Sequence, residues 1–191
     1  MNVRPMRRDD LDAVVAIHLA AFPNFFLTFL GPRFLRVFYA AVMHDGIALV
    51  ATIDDRVAGF VAGRLDSRSF YRRLWRKRFF HVALALAPVV LRHPSTLKRV
   101  ARRGVGRAFQ PAPGAELMSL AVHPRDQHRG LGRTLVEAFI AQVQQTGENT
   151  LWLITDAADN DAVQKFYETL GFTMRRSFTN AEGRALVEYA R

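Results

Sequence analysis

Cysteine is absent from this 191-residue chain, and with it go disulfides, thiolate nucleophiles and cysteine-based metal sites. The six histidines, at positions 18, 44, 81, 93, 123 and 128, form no HxH or HxxxH pair, so no metal is expected. No apolar run approaches the roughly 20 residues of a membrane-spanning helix. The longest, residues 79–91, is interrupted by His81 and Pro88. Arginines open the chain as they would a secretion signal, yet Asp9, Asp10 and Asp12 interrupt the stretch that would have to be apolar. Internal repeats and low-complexity linkers are absent too. The expectation from these absences is a cytoplasmic protein.

Half of the residues are hydrophobic and 23% are charged, a balance that favours a folded chain, and the length fits one domain over residues 1–191. The net charge of +10 resembles a nucleic-acid signal until it is located. Residues 64–107 carry 13 Lys/Arg against one acid, Asp66, a local net of +12, whereas the remainder sums to −2. The basicity therefore belongs to one segment and not to the whole domain.

Residues 3–6 can form a first strand. After Asp9 as N-cap, Leu11, Val14, Val15, His18 and Phe22 recur at helical spacing up to Pro23. An aromatic loop, 24–30, leads to a second helix that starts at Pro32. Residues 47–53 and 57–65 read as a hairpin about Asp54 and Asp55. Beyond a basic segment at 66–114, a buried strand (116–122), a helix (132–145) and a strand (151–155) imply a parallel pair with a crossover helix. A further helix (162–170) and a last hairpin about 180–183 complete an α/β chain with a mixed sheet.

The strand ending at Val122 runs through His123-Pro124-Arg125-Asp126 into Gln127-His128-Arg129-Gly130-Leu131-Gly132-Arg133-Thr134, after which Leu135, Val136, Phe139 and Val143 mark a helix. Glycines at a strand-to-helix turn let successive N–H groups converge, and the helix N-terminus adds about half a positive charge there. Such a turn suits a pyrophosphate. It is no P-loop, lacking Gly-Lys-Ser/Thr, and no Rossmann fingerprint, lacking the third glycine. The string from Val122 to Gly132 resembles instead the acetyl-CoA-binding motif of the GNAT acetyltransferases. About thirty residues on, Asn160-Asp161-Ala162-Val163-Gln164-Lys165-Phe166-Tyr167-Glu168-Thr169-Leu170-Gly171-Phe172 is similar to that family's Asn-x-x-Ala-x-x-Phe-Tyr-x-x-x-Gly-Phe segment, displaced by one residue at the alanine.

The resemblance is close over 115–189 and looser before the basic segment, which it does not cover. It implies a GNAT fold of about seven strands flanked by helices, with strands four and five splayed apart and the basic helical segment inserted between strands three and four. It also implies acetyl transfer from acetyl-CoA to a primary amine by direct attack, with no metal. That chemistry needs a neutral amine, a stabilised oxyanion and a proton for the departing thiolate. Tyr167 would give that proton, and Glu116, fourteen residues before Gly130, matches a strand glutamate that acts as general base in the histone-acetyltransferase branch. The backbone of Leu120 and Val122 would pair with the pantetheine arm. Residues Gln127, His128, Arg129, Gly130, Leu131, Gly132, Arg133 and Thr134 would hold the pyrophosphate, and Asn160 would reach the cofactor. Ser119, Thr155 and Asp156 fall near the expected acceptor.

The basic segment interleaves cations with aromatics: Tyr71, Arg72, Arg73, Trp75, Arg76, Lys77, Arg78, Phe79 and Phe80. Three readings stand: a solvated helical hairpin over the sheet, a contact with anionic membrane through 70–107, or capture of an anionic acceptor such as a nucleotide-linked amino sugar. Phe79, Phe80, Leu84 and Leu91 would hold it against the domain or in lipid. The alternative from another class is a non-catalytic module that binds nucleic acid through these cations and aromatics; the intact cofactor string and Tyr167 argue against it.

Overall fold

Period-two apolar runs and helical repeats combine into a seven-stranded mixed sheet with helices on both faces. The structure, a computed structural model, describes all residues except 24, 66, 93–112 and 181–182, and only the backbone of 67–69, 71–75, 77–78 and 92. The strands are β1 (Asn2–Pro5), β2 (Gly46–Ile53), β3 (Arg56–Arg64), β4 (Ala115–Val122), β5 (Leu151–Asp156), β6 (Thr173–Thr179) and β7 (Ala185–Ala190). The helices are α1 (Leu11–Ala21), α2 (Phe26–Phe29), α3 (Gly31–Asp45), α4 (Ser67–Arg92), α5 (Leu131–Gln145) and α6 (Asp161–Glu168). The sheet order is β1-β2-β3-β4-β5-β7-β6. Only β4 and β5 are parallel neighbours, and α5 is the crossover that a parallel pair requires.

Two apolar layers sandwich the sheet. On one face Val14, Ile17, Leu35, Phe38 and Tyr39 of α1 and α3 meet Val50 and Phe60. On the other, Leu131, Leu135, Val136 and Phe139 of α5 meet Leu49, Val61, Leu117 and Leu153. Each such large side chain contributes about 1.5–3 kcal/mol on burial. Gly63 is dictated by this packing: a Cβ there would lie 2.3 Å from the Phe139 ring and 2.3 Å from the Glu116 carbonyl oxygen.

Two expectations need correction. The N-cap of α1 is Asp10, not Asp9; a 3-10 turn over Arg8–Asp10 precedes the helix. Asp10 is buried because its carboxylate accepts from the Arg7 N–H (2.7 Å) and from the Arg4 guanidinium (2.7 and 2.8 Å). The aromatic loop holds a short helix, α2. After β3 the described part of the basic segment is one helix, α4, with Pro88 inside it. Phe70, Val82, Ala85 and Leu86 pack α4 onto the α1–α3 layer. Phe79, Phe80, Leu84 and Leu91, expected to hold it against the domain or in lipid, are 54–83% exposed and so do not pack against the described part of the domain. The cation-rich positions 71–75, 77 and 78 lie outside the described side chains, and 93–107 outside the described residues. Among the described residues no helix is long and apolar enough to cross a membrane.

Candidate active site

The site originates in a local fault of β4. Ser119 stands opposite Ala62 and Leu117 opposite Gly63, so Met118 is an extra residue and β4 bulges there. A bulge resets the alternation of faces. Leu117 joins the α5 layer, Met118 packs toward the α1–α3 layer, and Leu120 and Val122 return to the α5 side. Pairing between β4 and β5 ends at the same place. It covers only Ala115–Leu117 against Leu151–Leu153, and beyond it the edge of β4 toward β5 is open. Leu120 and Val122 lie on this open stretch, as a paired pantetheine arm would require.

The glycine-containing turn follows the strand. A 3-10 turn over Pro124–Asp126 leads to Gln127, and the chain then takes positive φ at His128 (62°) and Gly130 (78°) before α5 begins. The first helical N–H bond runs from Thr134 to the Gly130 carbonyl (3.1 Å), so the N–H groups of Leu131, Gly132 and Arg133 precede the helical ladder. Asp126 fixes this turn from below: it is buried and accepts two hydrogen bonds from Arg56 of β3 (2.9 and 3.1 Å). The Arg56 guanidinium holds its carboxyl below the usual carboxylate range. Arg129 reaches Asp126 at 3.6 Å, and Arg133 donates to Thr169 at 3.0 Å and to Glu137 at 3.4 Å. Both arginines stand beside the turn, each on an internal partner. Gln127 donates to the Val122 carbonyl at 3.4 Å.

Where β4 and β5 part, a cavity of about 510 Å³ opens. It is lined by Ser119 and Leu120 of β4, Thr155 and Asp156 of β5, Asn160, Phe166 and Tyr167 at α6, and His18, Phe22 and Phe25 around the α1–α2 connection. Tyr167 is set by rings on two sides, Phe166 at 5.2 Å and Phe172 at 5.7 Å. Gly171, at φ 81°, lets the chain reverse after α6 so that the Phe172 N–H donates to the Tyr167 carbonyl (3.1 Å). Burial pushes the Tyr167 hydroxyl pKa up, so it stays protonated and able to donate. Asn160 occupies the N-cap position of α6, but its amide donates to the Thr155 hydroxyl (2.7 Å) and the Asp156 carbonyl (3.1 Å). At the mouth Arg184 makes a two-pronged ion pair with Asp156 and lies over the Phe25 ring, 4.4 Å from its centroid.

Glu116 is not among the residues that line this cavity. It sits on the paired part of β4, and Arg64 donates to its carboxylate (2.6 Å). Burial raises its pKa and Arg64 partly offsets that effect.

A sequence model of the acetyltransferase (GNAT) family matches residues 11–172. The chain belongs to the GNAT family of acetyltransferases. Over 67 residues it is 43% identical to the [ribosomal protein bS18]-alanine N-acetyltransferase of Escherichia coli K12, covering 34% of this chain and 45% of that protein. It is 42% identical over 67 residues to the mycothiol acetyltransferase of Kocuria rhizophila, 35% of this chain and 22% of that one. The chain thus matches less than half the length of these curated relatives. The crystal structure of a ribosomal-protein-alanine N-acetyltransferase from Brucella melitensis has the same fold, with TM-score 0.67, 16% identity, and coverage of 100% of this chain and 99% of that one.

Within this GNAT fold the structure brings together Tyr167, Asn160, Leu120, Ser119, Thr155 and Asp156, all around the cavity. The residues 127–134 form the separate turn at the α5 N-terminus, and Glu116 stands apart from both. Sequence reasoning missed Phe25 and Arg184, which come from distant loops, and it missed His18 as a site residue. The available signal for His18 was a polar side chain at an apolar position of the α1 repeat.

Proposed function

We propose that this protein is an N-acetyltransferase that moves the acetyl group of acetyl-CoA to a primary amine. The observation that carries this reading is the parting of β4 from β5 after three residue pairs, with Tyr167 inside the opening and the α5 N-terminus beyond it. The open edge of β4 at Leu120 and Val122 offers backbone partners for the pantetheine arm. The N–H groups at the start of α5 offer a cradle for the pyrophosphate. Acetyl-CoA, when bound, supplies a thioester carbonyl activated toward amines. Tyr167 then gives its hydroxyl proton to the departing thiolate, and its raised pKa keeps the hydroxyl protonated, and so able to donate, at neutral pH. The base role expected of Glu116 has less support, since its carboxylate is taken up by Arg64.

The acceptor would occupy the cavity that Phe22, Phe25 and Arg184 help to line. A protein N-terminus, such as that of a ribosomal protein, is the first acceptor to test, because the E. coli relative bears that name. An amino sugar is the second. The two matched relatives are named for different acceptors at nearly equal identity, so acceptor choice rests on the cavity more than on the shared segment. The exposed Phe79, Phe80, Leu84 and Leu91 on a helix of basic sequence favour a further contact, with an anionic membrane surface. No observation on the described residues favours the nucleic-acid reading.

Incubation of the protein and acetyl-CoA with an N-terminal-alanine peptide, a polyamine and a nucleotide-linked amino sugar, read by mass spectrometry, tests the proposal. One acetylated product is expected. Binding of acetyl-CoA with no product from any acceptor would overturn it.

A further inference from the structure

His18 is 2% exposed, lines the cavity, and has only one of its ring nitrogens engaged. Its Nδ1 is 2.7 Å from the Tyr39 hydroxyl. Tyr39 is fully buried in α3 and hydrogen-bonds in turn to Ser119, the residue that the β4 bulge turns toward this layer. The Nε2 of His18 is buried and has no hydrogen-bond partner among the described residues. Phe22 packs on the ring, with centroids 5.0 Å apart. The geometry therefore holds an imidazole in place by one nitrogen and leaves the other for a group that enters the cavity.

Resting on the acetyl-transfer reading above, we propose that His18 is a catalytic residue whose Nε2 takes the proton that the acceptor nitrogen must lose. The other titratable groups around the cavity are committed elsewhere: Asp156 to Arg184, and Tyr167 to proton donation. Burial lowers the His18 pKa to about 4, so at neutral pH the ring is in the form that can accept a proton. In the step, the amine nitrogen bonds to the thioester carbonyl carbon and the carbon–sulfur bond breaks. The nitrogen's proton passes to Nε2 of His18 and the Tyr167 proton passes to sulfur. The proton it receives leaves an amine nitrogen already bonded to carbon, far more acidic than a free ammonium ion. The imidazolium, disfavoured by burial, then releases its proton and Tyr167 regains one, so that amine plus thioester become amide plus thiol. Tyr39 is a positioning residue: in the tautomer whose Nδ1–H donates to the Tyr39 hydroxyl oxygen, the lone pair lies on Nε2.

The test uses the full chain, acetyl-CoA and an N-terminal-alanine peptide, or whichever acceptor the wild type acetylates. Glutamine fills the place of the ring and can still hydrogen-bond, but it cannot take up a proton. His18→Gln is expected to lower kcat by about 10²–10⁴-fold, while acetyl-CoA Kd and acceptor KM change less than about threefold. In His18→Ala, added imidazoles should restore turnover, more strongly as their basicity rises. Thermal unfolding of both variants checks that they fold. A His18→Gln enzyme with wild-type kcat, or one whose loss lies in KM, would overturn the proposal. So would a folded His18→Ala enzyme that no imidazole rescues. If the wild type itself transfers acetyl to no acceptor, the acetyl-transfer reading fails and this inference with it; an active wild type confines failure to His18.

Discussion

The turn after β4 and the cavity around Tyr167 both adjoin the unpaired stretch of β4, yet they are assembled in opposite ways. The turn is made of eight consecutive residues, 127–134, and presents backbone N–H groups that precede the helical ladder. The cavity collects side chains from α1, the α1–α2 connection, β4, β5, α6 and the loop before β7. Its character rests on a bulge at Met118 and on an ion pair, Asp156 with Arg184, between residues 28 apart in sequence. A backbone cradle tolerates many side chains and keeps its glycines. A cavity of side chains can change its acceptor with one substitution. The shared element therefore suits the cofactor and the assembled one the acceptor.

The largest expected break in this comparison is Tyr167→Phe. It removes one hydroxyl and leaves the packing against Phe166 and Phe172, so turnover should fall about 10²–10⁴-fold with acetyl-CoA affinity within twofold. Steady-state kinetics beside calorimetric titration would separate the two, and full activity in the variant would place the proton donor elsewhere.

Next in size is a pH effect on the cavity side alone. Burial depresses the His18 pKa from 6.5 to about 4, so the unfolded chain binds a proton below pH 6.5 that the folded chain refuses until about pH 4. The His18 contribution is therefore complete above pH 6.5, declines as pH falls toward 4, and amounts to about 3 kcal/mol at most. Denaturant unfolding of wild type and His18→Gln at pH 7 and 4.5 should show a smaller loss in the variant; equal losses would mean that His18 already titrates normally in the fold.

On the turn side, Gly130→Val probes backbone conformation and not space. A Cβ at Gly130 meets nothing within 4 Å, but φ is 78°, and a β-branched residue there costs about 1–2 kcal/mol. Acetyl-CoA should bind about tenfold more weakly by titration, while Tyr167 chemistry at saturation changes little. Unchanged affinity would move the pyrophosphate off the turn.

The smallest effect belongs to α4. Phe80→Ser and Leu84→Ser alter side chains that are 83% and 74% exposed, so stability should stay within about 0.5 kcal/mol in thermal or denaturant unfolding. A larger loss would show that another part of the chain covers this face, and a selective loss of binding to anionic vesicles would support the membrane contact.

Much of the fold was legible because it is written locally. Leu135, Val136, Phe139 and Val143 repeat with the period of a helix, Asp54 and Asp55 punctuate a hairpin, and two glycines mark the turn, all within short windows of sequence. The turn and Tyr167 could be located for the same reason, since each lies in a contiguous string. The bulge at Met118 was not legible: it arises from how β4 meets β3, and no residue type in that strand announces it. Nor could the sequence say that Glu116 would meet Arg64, 52 residues away, or that Arg184 would lie over Phe25. His18 looked like any other residue of an apolar helical stripe until α3 brought Tyr39 against it. The sequence by itself determined most of the elements, their order and the glycine turn before α5, because propensity, periodicity and glycine conformation act between near neighbours. The tertiary structure alone decided which carboxylates are neutralised and which imidazole nitrogen is left without a partner, because burial and ion pairing depend on residues far apart in the chain.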